Sequence, residues 1–183
     1  MTINMSTKIG HLLNLIDAIP KLTVSVIEGP CIAGGFGMAC ATDVIITMHN
    51  SVFRLSETRL GLTPSQIAPY VLRKVDYSKA RLLMLLGDSI DGKIAYEIGI
   101  ADYLATTEKE LQNYIDQIKS KLNKCSPNAF AITKSLVSKH ASINIQKAAE
   151  LFNECVEHPE GKEGLESFFE KRNPFWINNR NKS

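Results

Sequence analysis

A run of glycines between two apolar segments is the first place in this sequence where chemistry is expected. Gly34, Gly35 and Gly37 follow a predicted strand and begin a predicted helix. At such a place backbone N–H groups have no partner within the helix, and the helix dipole favours negative charge. Because Gly34 has no side chain, a substrate carbonyl can come within hydrogen-bonding reach of its amide. N–H groups arranged in this way stabilise negative charge that develops on an oxygen during a reaction.

Glycines at this position can also have a purely structural role or bind a dinucleotide. The same residues would be required if the backbone had positive φ there, or if two elements packed closely against each other. A dinucleotide site fits less well, because the spacing is AGGFG rather than GxGxxG and no acidic residue follows a second strand where a ribose would bind. The residues alone therefore indicate either an oxyanion site or a packing role.

The elements around the glycines predict an α/β fold. Apolar residues at three- and four-residue spacings predict a helix over residues 9–19 that ends at Pro20. Short apolar runs rich in β-branched residues predict strands over residues 22–27, 43–48 and 51–55, and Glu28-Gly29-Pro30 is expected to end the first strand.

Helical periodicity predominates beyond residue 60. The predicted helices cover residues 78–86, 93–98, 108–122, 127–139, 145–156 and 160–176, and the last is expected to end at Asn173-Pro174. The sequence therefore predicts strands before about residue 60 and helices after it.

Composition excludes several classes of function. Lysine and arginine total 21 against 19 aspartates and glutamates, which gives no field that would attract nucleic acid or an anionic membrane. The cysteines are too far apart in sequence for a zinc or redox motif and are expected to be reduced, buried thiols: Cys31, Cys40, Cys125 and Cys155. Because no export signal or membrane-spanning run is found, we expect a soluble, cytoplasmic protein.

Three ordered parts of the sequence resemble the crotonase, or enoyl-CoA hydratase/isomerase, superfamily. They are GPCIAGGFGMACATDVII followed by FRLSETRLGLTP, then LLMLLGDSIDGKIAYEIGIAD, and finally EGLESFFEKRNPFW, so that the similarity runs from about residue 9 to residue 176. The resemblance implies the crotonase (ClpP-like) fold. Here it would comprise a partial ββα spiral core over residues 1–75, followed by a helical carboxy-terminal region, residues 76–183, used for trimerisation.

The resemblance also implies the central site residues. Gly34 corresponds to the glycine whose amide forms half of the oxyanion hole of the family and polarises the acyl thioester carbonyl. Glu57 corresponds to the second catalytic glutamate, which takes or delivers a proton. A single glutamate in any sequence is more often a solvated surface charge, so this role depends on the resemblance.

Further substrate contacts are implied between these two residues and after them. Gly35 and Gly37 belong to the same glycine segment, and the amide of Ser65 stands where simple hydratases have a glycine. Phe168 and Lys171 match positions that help to hold the coenzyme A nucleotide, often across a subunit interface. The alternative is that Phe168 is a core residue of the last helix and Lys171 a solvated charge.

The sequence departs from the family pattern at Gly37, where two-glutamate hydratases have their first glutamate. With one carboxylate the protein could still move a double bond, or hydrate a substrate if another group helps to orient water. After Pro64 the sequence SQIAPYVLRK replaces a run of glycines. This part looks more like the branch that handles glutaconyl-type acyl-CoAs, such as isohexenylglutaconyl-CoA or methylglutaconyl-CoA hydratases.

Family members have an earlier segment with an Ala-Gly-x-Asp loop that supplies the second oxyanion amide, and this sequence lacks it. We therefore expect an amino-terminally truncated relative. The leading interpretation is an enoyl-CoA hydratase (a lyase) or isomerase of fatty acid metabolism, and the alternative is an impaired fragment that binds acyl-CoA or associates with complete crotonase subunits. The resemblance implies a homotrimer or dimer of trimers, with no metal, no nucleic acid, no membrane and no cofactor beyond the coenzyme A of the substrate.

Overall fold

The computed structural model describes residues 3–138 and 144–179 and forms two compact units, Met1–Ile115 and Asp116–Ser183. The first unit contains strands β1 Val24–Ile27, β2 Pro30–Ile32, β3 Val44–Met48, β4 Val52–Arg54, β5 Ser89–Asp91 and β6 Tyr103–Ala105. Its helices are α1 Ile3–Ala18, α2 Gly34–Ala41, α3 Ala68–Lys74, α4 Tyr77–Leu86 and α5 Gly92–Glu97, with a 3₁₀ turn at Glu57–Leu60. Helix α6, Glu108–Leu122, begins in the first unit and ends in the second.

The strands form two small sheets. In one sheet β3 lies between β1 and β6 and is parallel to both, with Val24 opposite Val44. In the other sheet β4 lies between β2, to which it is parallel, and β5, to which it is antiparallel. Because β2 and β4 are parallel, the chain leaves both strands at the same edge of this sheet, with Ile32 opposite Arg54.

Two aspartates fix the first sheet at the start of β3. The Asp43 carboxylate accepts hydrogen bonds from the N–H and the hydroxyl of Thr23, at 2.7 and 2.9 Å. The Asp102 carboxylate accepts one from the Ile45 N–H at 2.8 Å. Asp43, the residue before β3, therefore joins β1 to β3.

The core of the first unit includes the contact between the second sheet and α2. Phe36 of α2 and Phe53 of β4 are fully buried and meet edge to face, with ring centroids 5.4 Å apart. Burial of large apolar side chains such as these is the main stabilising term in folding. Other fully buried core residues come from α1, β3 and α3: Leu13, Ile45 and Val71.

The second unit contains the rest of α6 and four further helices, which are α7 Pro127–Ser138, α8 Ile145–Glu157, α9 Pro159–Phe169 and α10 Phe175–Asn179. The Glu160 carboxylate, near the start of α9, accepts hydrogen bonds from the Ser126 hydroxyl at 2.6 Å and the Asn128 N–H at 2.8 Å, and so holds the start of α7. Within the described ranges, no helix is both long and apolar enough to cross a membrane.

Most predicted elements are confirmed, with small shifts of their ends. The helix predicted over residues 9–19 is part of α1, the predicted strands correspond to β1, β3 and β4, and α6 has the predicted bounds. The other helices predicted beyond residue 60 appear as α4, α5, α7 and α8, although Lys139, the predicted last residue of α7, lies outside the described residues. Strands β2 and β5 and helix α3 were not predicted.

The prediction of one last helix over residues 160–176 is wrong in its second half. Helix α9 ends at Phe169, and Lys171 has a φ of 56°, which lies in the left-handed region and ends a right-handed helix. The Arg172 side chain then binds the carboxylates of Glu163 and Glu170, each at 2.5 Å, which fixes the turn before Pro174. Helix α10 begins only after that proline.

The four cysteines are free thiols, but only two are buried as expected. Cys31 and Cys40 are at most 4% exposed, and burial raises the pKa of both thiols to about 12. Cys125 is exposed and Cys155 is partly buried.

We therefore expect a disulfide exchange reagent at pH 8 to modify Cys125 rapidly and to leave Cys31 and Cys40 unmodified until the protein unfolds, because both access and the thiolate fraction are low in the core. Stopped-flow thiol titration in native buffer and in denaturant measures this difference. Cys125→Ser is the control and should remove the fast phase alone. Reaction of all four thiols at one rate in native buffer would contradict this packing.

Candidate functional site

A cavity of about 350 Å³ in the first unit brings the central predicted residues together. Its walls are α1, the start of α2, the 3₁₀ turn and the loop from Leu62 to Ile67, and both Gly34 and Glu57 line it. Apolar side chains supply much of the lining: Ile9, Leu60, Leu62 and Ile67. Mostly apolar pockets with a few polar groups are the usual form of sites for small molecules.

The Gly34 amide is presented by the turn between β2 and α2. Ala33, the residue before the helix, has φ 50° and ψ −118°, a strained conformation for a residue with a side chain. Its N–H donates to the Arg54 carbonyl oxygen at 2.8 Å, and its carbonyl oxygen accepts from the Gly37 N–H at 3.1 Å. Among the described residues the Gly34 N–H has no hydrogen-bond acceptor, as expected for the first residue of a helix.

The structure shows that the three glycines are not all required for the same reason. Their φ values lie outside the left-handed region, so positive φ does not explain them. At Gly37 a Cβ atom would overlap Cγ2 and Cβ of Ile67, which makes this glycine a packing requirement. At Gly34 and Gly35 a Cβ atom would meet nothing within 4 Å. Close packing therefore accounts for Gly37 alone.

Glu57 is the first residue of the 3₁₀ turn that follows β4. Its side chain is partly buried, and its Oε2 is the one buried side-chain oxygen or nitrogen without a hydrogen-bond partner in the described part of the chain. Burying such an atom without a partner costs about 1–3 kcal/mol, so each case in a folded protein calls for a reason. Here the atom belongs to a residue that lines the cavity containing the Gly34 amide.

Two arginines attach the Glu57 turn to the end of α4. The Arg59 Nε donates to the Leu86 carbonyl oxygen at 2.7 Å, and its guanidinium forms an ion pair with Asp88. On the other side of Glu57, the Arg54 Nε donates to the Gly87 carbonyl oxygen at 2.9 Å. The backbone that carries Glu57 is therefore fixed from both sides.

The remaining predicted residues of the first unit lie at or beside the cavity. Ser65 lines it from the loop, where the Pro64 carbonyl oxygen accepts from the N–H groups of Ile67 and Ala68 at 3.1 and 2.9 Å. Gly35 and Gly37 are not lining residues. Gly37 contributes indirectly, because it leaves room for Ile67, which does line the cavity.

Phe168 and Lys171 lie in the second unit. Phe168 is 76% exposed and meets Phe169 edge to face, so it is not a core residue of the last helix. Lys171 is exposed on the turn after α9. Their contact with a coenzyme A nucleotide stays a prediction.

Sequence reasoning missed the wall that α1 contributes. Ser6 and Ile9 lie three residues apart on this helix and face the cavity, and the Gln66 Nε2 donates to the Ser6 hydroxyl oxygen at 3.1 Å. The apolar periodicity predicted the helix but gave no sign of Ser6. Over residues 3–138 and 144–179, no group of three or more His, Cys, Asp or Glu side chains could hold a metal ion.

Comparisons with known proteins agree with one another. The sequence model of the enoyl-CoA hydratase/isomerase family matches residues 3–179. Among curated proteins, enoyl-CoA hydratase ACTT6 of Alternaria alternata is 33% identical over 148 residues, which are 79% of this chain and 50% of that protein. A putative enoyl-CoA hydratase of Thermus thermophilus is 27% identical and covers 92% of this chain and 68% of its own length.

Solved structures share the fold. Pseudomonas aeruginosa AtuE superposes with a TM-score of 0.91 at 35% identity and covers 95% of this chain and 69% of its own. An enoyl-CoA hydratase/isomerase from Marinobacter aquaeolei gives a TM-score of 0.89 at 33% identity, with 95% and 67% covered. The chain spans about half the length of the Alternaria relatives and about two thirds of these solved chains.

The contact between Gly37 and Ile67 gives a prediction about stability. Alanine is favoured over glycine within a helix by about 1 kcal/mol, but Gly37→Ala forces its methyl group into Ile67, and overpacking of this kind costs about 1–3 kcal/mol. We expect a net loss in the free energy of unfolding measured by urea denaturation. Gly35→Ala is the matched control and should be neutral or stabilising. Equal effects of the two substitutions would contradict the packing at Gly37.

Proposed function

The chain belongs to the enoyl-CoA hydratase/isomerase family and has the crotonase fold, and from this premise we propose that its cavity binds the acyl thioester of an acyl-CoA and moves protons on it. The proposal rests on one observation. The free N–H of Gly34 and the unpartnered Oε2 of Glu57 belong to residues that line the same cavity. A hydrogen-bond donor for an oxyanion and a carboxylate for proton transfer are the groups that this chemistry requires.

Gly34 is assigned to the thioester oxygen. When a proton leaves the α-carbon, or a nucleophile adds to the β-carbon, an electron pair moves onto the carbonyl oxygen and gives an enolate. The Gly34 N–H, at the start of α2, stabilises that negative charge more strongly than it stabilises the neutral carbonyl, and this difference lowers the barrier.

Glu57 is assigned to proton transfer. In isomerisation its carboxylate takes a proton from one carbon of the acyl chain and returns it to another, and the double bond moves. In hydration it takes a proton from water as the water oxygen bonds to the β-carbon, and then delivers this proton to the α-carbon. Both reactions need one carboxylate at the acyl chain, and Glu57 is the titratable side chain among the described lining residues.

The lining residues are compatible with either reaction. The described part of the lining offers no second carboxylate, so a water for hydration would need the hydroxyls of Thr63 and Ser65 to help hold it. The names of the Alternaria and Thermus relatives favour hydration, whereas the Marinobacter protein is named for both activities. We therefore keep both reactions within the proposal.

The rest of the substrate and the assembly belong to the same proposal. Coenzyme A is part of the substrate, and the exposed Phe168 ring and the Lys171 ammonium group are available to contact its nucleotide. We place the active form in a homotrimer or dimer of trimers in the cytoplasm. Because this chain covers half of its Alternaria relatives, activity has to be measured on the chain itself.

Glu57→Gln tests the acid/base role. The amide cannot accept and return the proton, so we expect turnover of a panel of enoyl-CoAs to fall about 10²- to 10⁴-fold while calorimetric binding of the same thioesters is retained. Product analysis by mass spectrometry and NMR separates hydration from double-bond movement. The control is Glu97→Gln on the exposed side of α5, which should leave turnover unchanged.

Undiminished turnover in Glu57→Gln would defeat the role given to this carboxylate. If the unsubstituted chain binds acyl-CoA without converting it, the result supports the impaired acyl-CoA-binding fragment instead.

Arg59→Ala tests how Glu57 is positioned. Loss of the contacts with Leu86 and Asp88 releases the 3₁₀ turn, and a misplacement of about 1 Å at a catalytic group can lower kcat up to a hundredfold with little change in KM. Arg81→Ala on the surface of α4 is the control. If Arg59 acts through Glu57, Glu57→Gln/Arg59→Ala will be no slower than Glu57→Gln. Additive losses would show that Arg59 acts in another way.

A further inference from the structure

A pair of polar side chains joins two walls of the cavity, with Ser6 on α1 and Gln66 on the loop before α3. Ser6 and Gln66 are both partly buried, both line the cavity and are joined by the hydrogen bond from Gln66 Nε2 to Ser6 Oγ. Polar groups placed among apolar lining residues usually fix the orientation of a ligand and determine which ligands are accepted.

The pair is held in place by its surroundings. The Gln66 Oε1 lies 2.5 Å from the position that a Cβ atom would take at Gly10, so the amide rests directly on α1 where the helix has no side chain. Two further contacts join α1 to α3 on the same side: the Tyr70 hydroxyl donates to the Asn14 Oδ1 at 2.7 Å, and Arg73 pairs with Asp17 at 3.1 Å. The pair is therefore fixed before a ligand binds.

The pair still has hydrogen-bonding capacity. After their mutual bond, Gln66 keeps one amide N–H and its carbonyl oxygen, and Ser6 keeps its hydroxyl proton. Over residues 3–138 and 144–179, no other side chain or backbone group takes up these donors or this acceptor. A ligand group that both donates and accepts, such as a hydroxyl, matches this set.

The charge of the lining limits the ligand further. No lysine, arginine or histidine lines the cavity in the described part of the chain, and the titratable lining residue is the acidic Glu57. A carboxylate on the acyl chain, as in the glutaconyl-type substrates that the resemblance suggests, would be desolvated beside like charge without a cationic partner. An uncharged polar group avoids this cost.

We infer that Ser6 and Gln66 select acyl groups that carry a hydroxyl, an uncharged group that both donates and accepts hydrogen bonds, over plain hydrocarbon chains and over chains that end in a carboxylate. The inference rests on the proposed function for the acyl-CoA class of the ligand. It assigns to this pair the discrimination between acyl chains, while Gly34 and Glu57 act on the thioester end.

Calorimetry with unreactive saturated acyl-CoAs tests the inference without requiring turnover. All members have an acyl chain of the same length. One chain is unsubstituted and ends in a methyl group, others carry a hydroxyl at carbon 4, 5 or 6, and one ends in a carboxylate. We expect at least one hydroxylated member to bind tightest. In Ser6→Ala and Gln66→Leu the ratio of the methyl Kd to the hydroxyl Kd should fall about tenfold, which corresponds to one lost hydrogen bond.

Tyr70→Phe is the control, because it breaks another contact between α1 and α3 that does not line the cavity. If Ser6 and Gln66 only hold α1 in place, all three substitutions will weaken the binding of every thioester equally. The ratio of the two Kd values will then not change, and the inference is overturned. Tightest binding of the methyl or carboxylate member, or no binding of any thioester, also overturns it.

The outcome is distinguishable from that of the proposed function. An unchanged ratio together with Glu57-dependent turnover removes the selectivity and leaves the acid/base proposal intact. A ratio that falls in Ser6→Ala and Gln66→Leu, together with turnover that does not depend on Glu57, supports the selectivity and removes the acid/base proposal.

Discussion

A single backbone hydrogen bond, from the Ala33 N–H to the Arg54 carbonyl oxygen, brings the two candidate catalytic groups to one place. It continues the pairing of the parallel strands β2 and β4 by one residue beyond the end of β2. Gly34 follows directly on one side of this bond, and Glu57 follows three residues later on the other. Because parallel strands end at the same edge of a sheet, segments more than 20 residues apart in sequence meet there without a dedicated loop.

The local geometry at this edge of the sheet is unfavourable and is stabilised by the aromatic core beside it. Ala33 has a strained backbone and the Glu57 Oε2 is buried without a partner, and each feature costs of the order of 1–3 kcal/mol. The fully buried pair Phe36 and Phe53 lies in the elements next to these residues, because α2 follows Ala33 and β4 precedes the turn of Glu57. A rigid aromatic core directly beside the site is what holds polar groups in a geometry they would not adopt alone.

How much was predictable differs between elements. Long amphipathic segments such as α1 and α6 follow from periodicity, and the resemblance predicted that Gly34 and Glu57 would converge. Strands β2 and β5 have three residues each, too few to show alternation, and both are defined by their pairing with β4. The contact between Ser6 and Gln66 spans 60 residues, and no local pattern could indicate it. Gly37 could not be explained before Ile67 was seen to occupy the space beside it.

The most direct test of the central claim is exchange of the α-protons of a saturated acyl-CoA with D₂O, followed by NMR, because it requires an enolate and a base but no double bond and no added water. We predict exchange with the unsubstituted chain and a loss of at least about a hundredfold in Glu57→Gln. Exchange at the same rate in both proteins, or none above the solution rate in either, would show that Gly34 and Glu57 do not act together on a thioester.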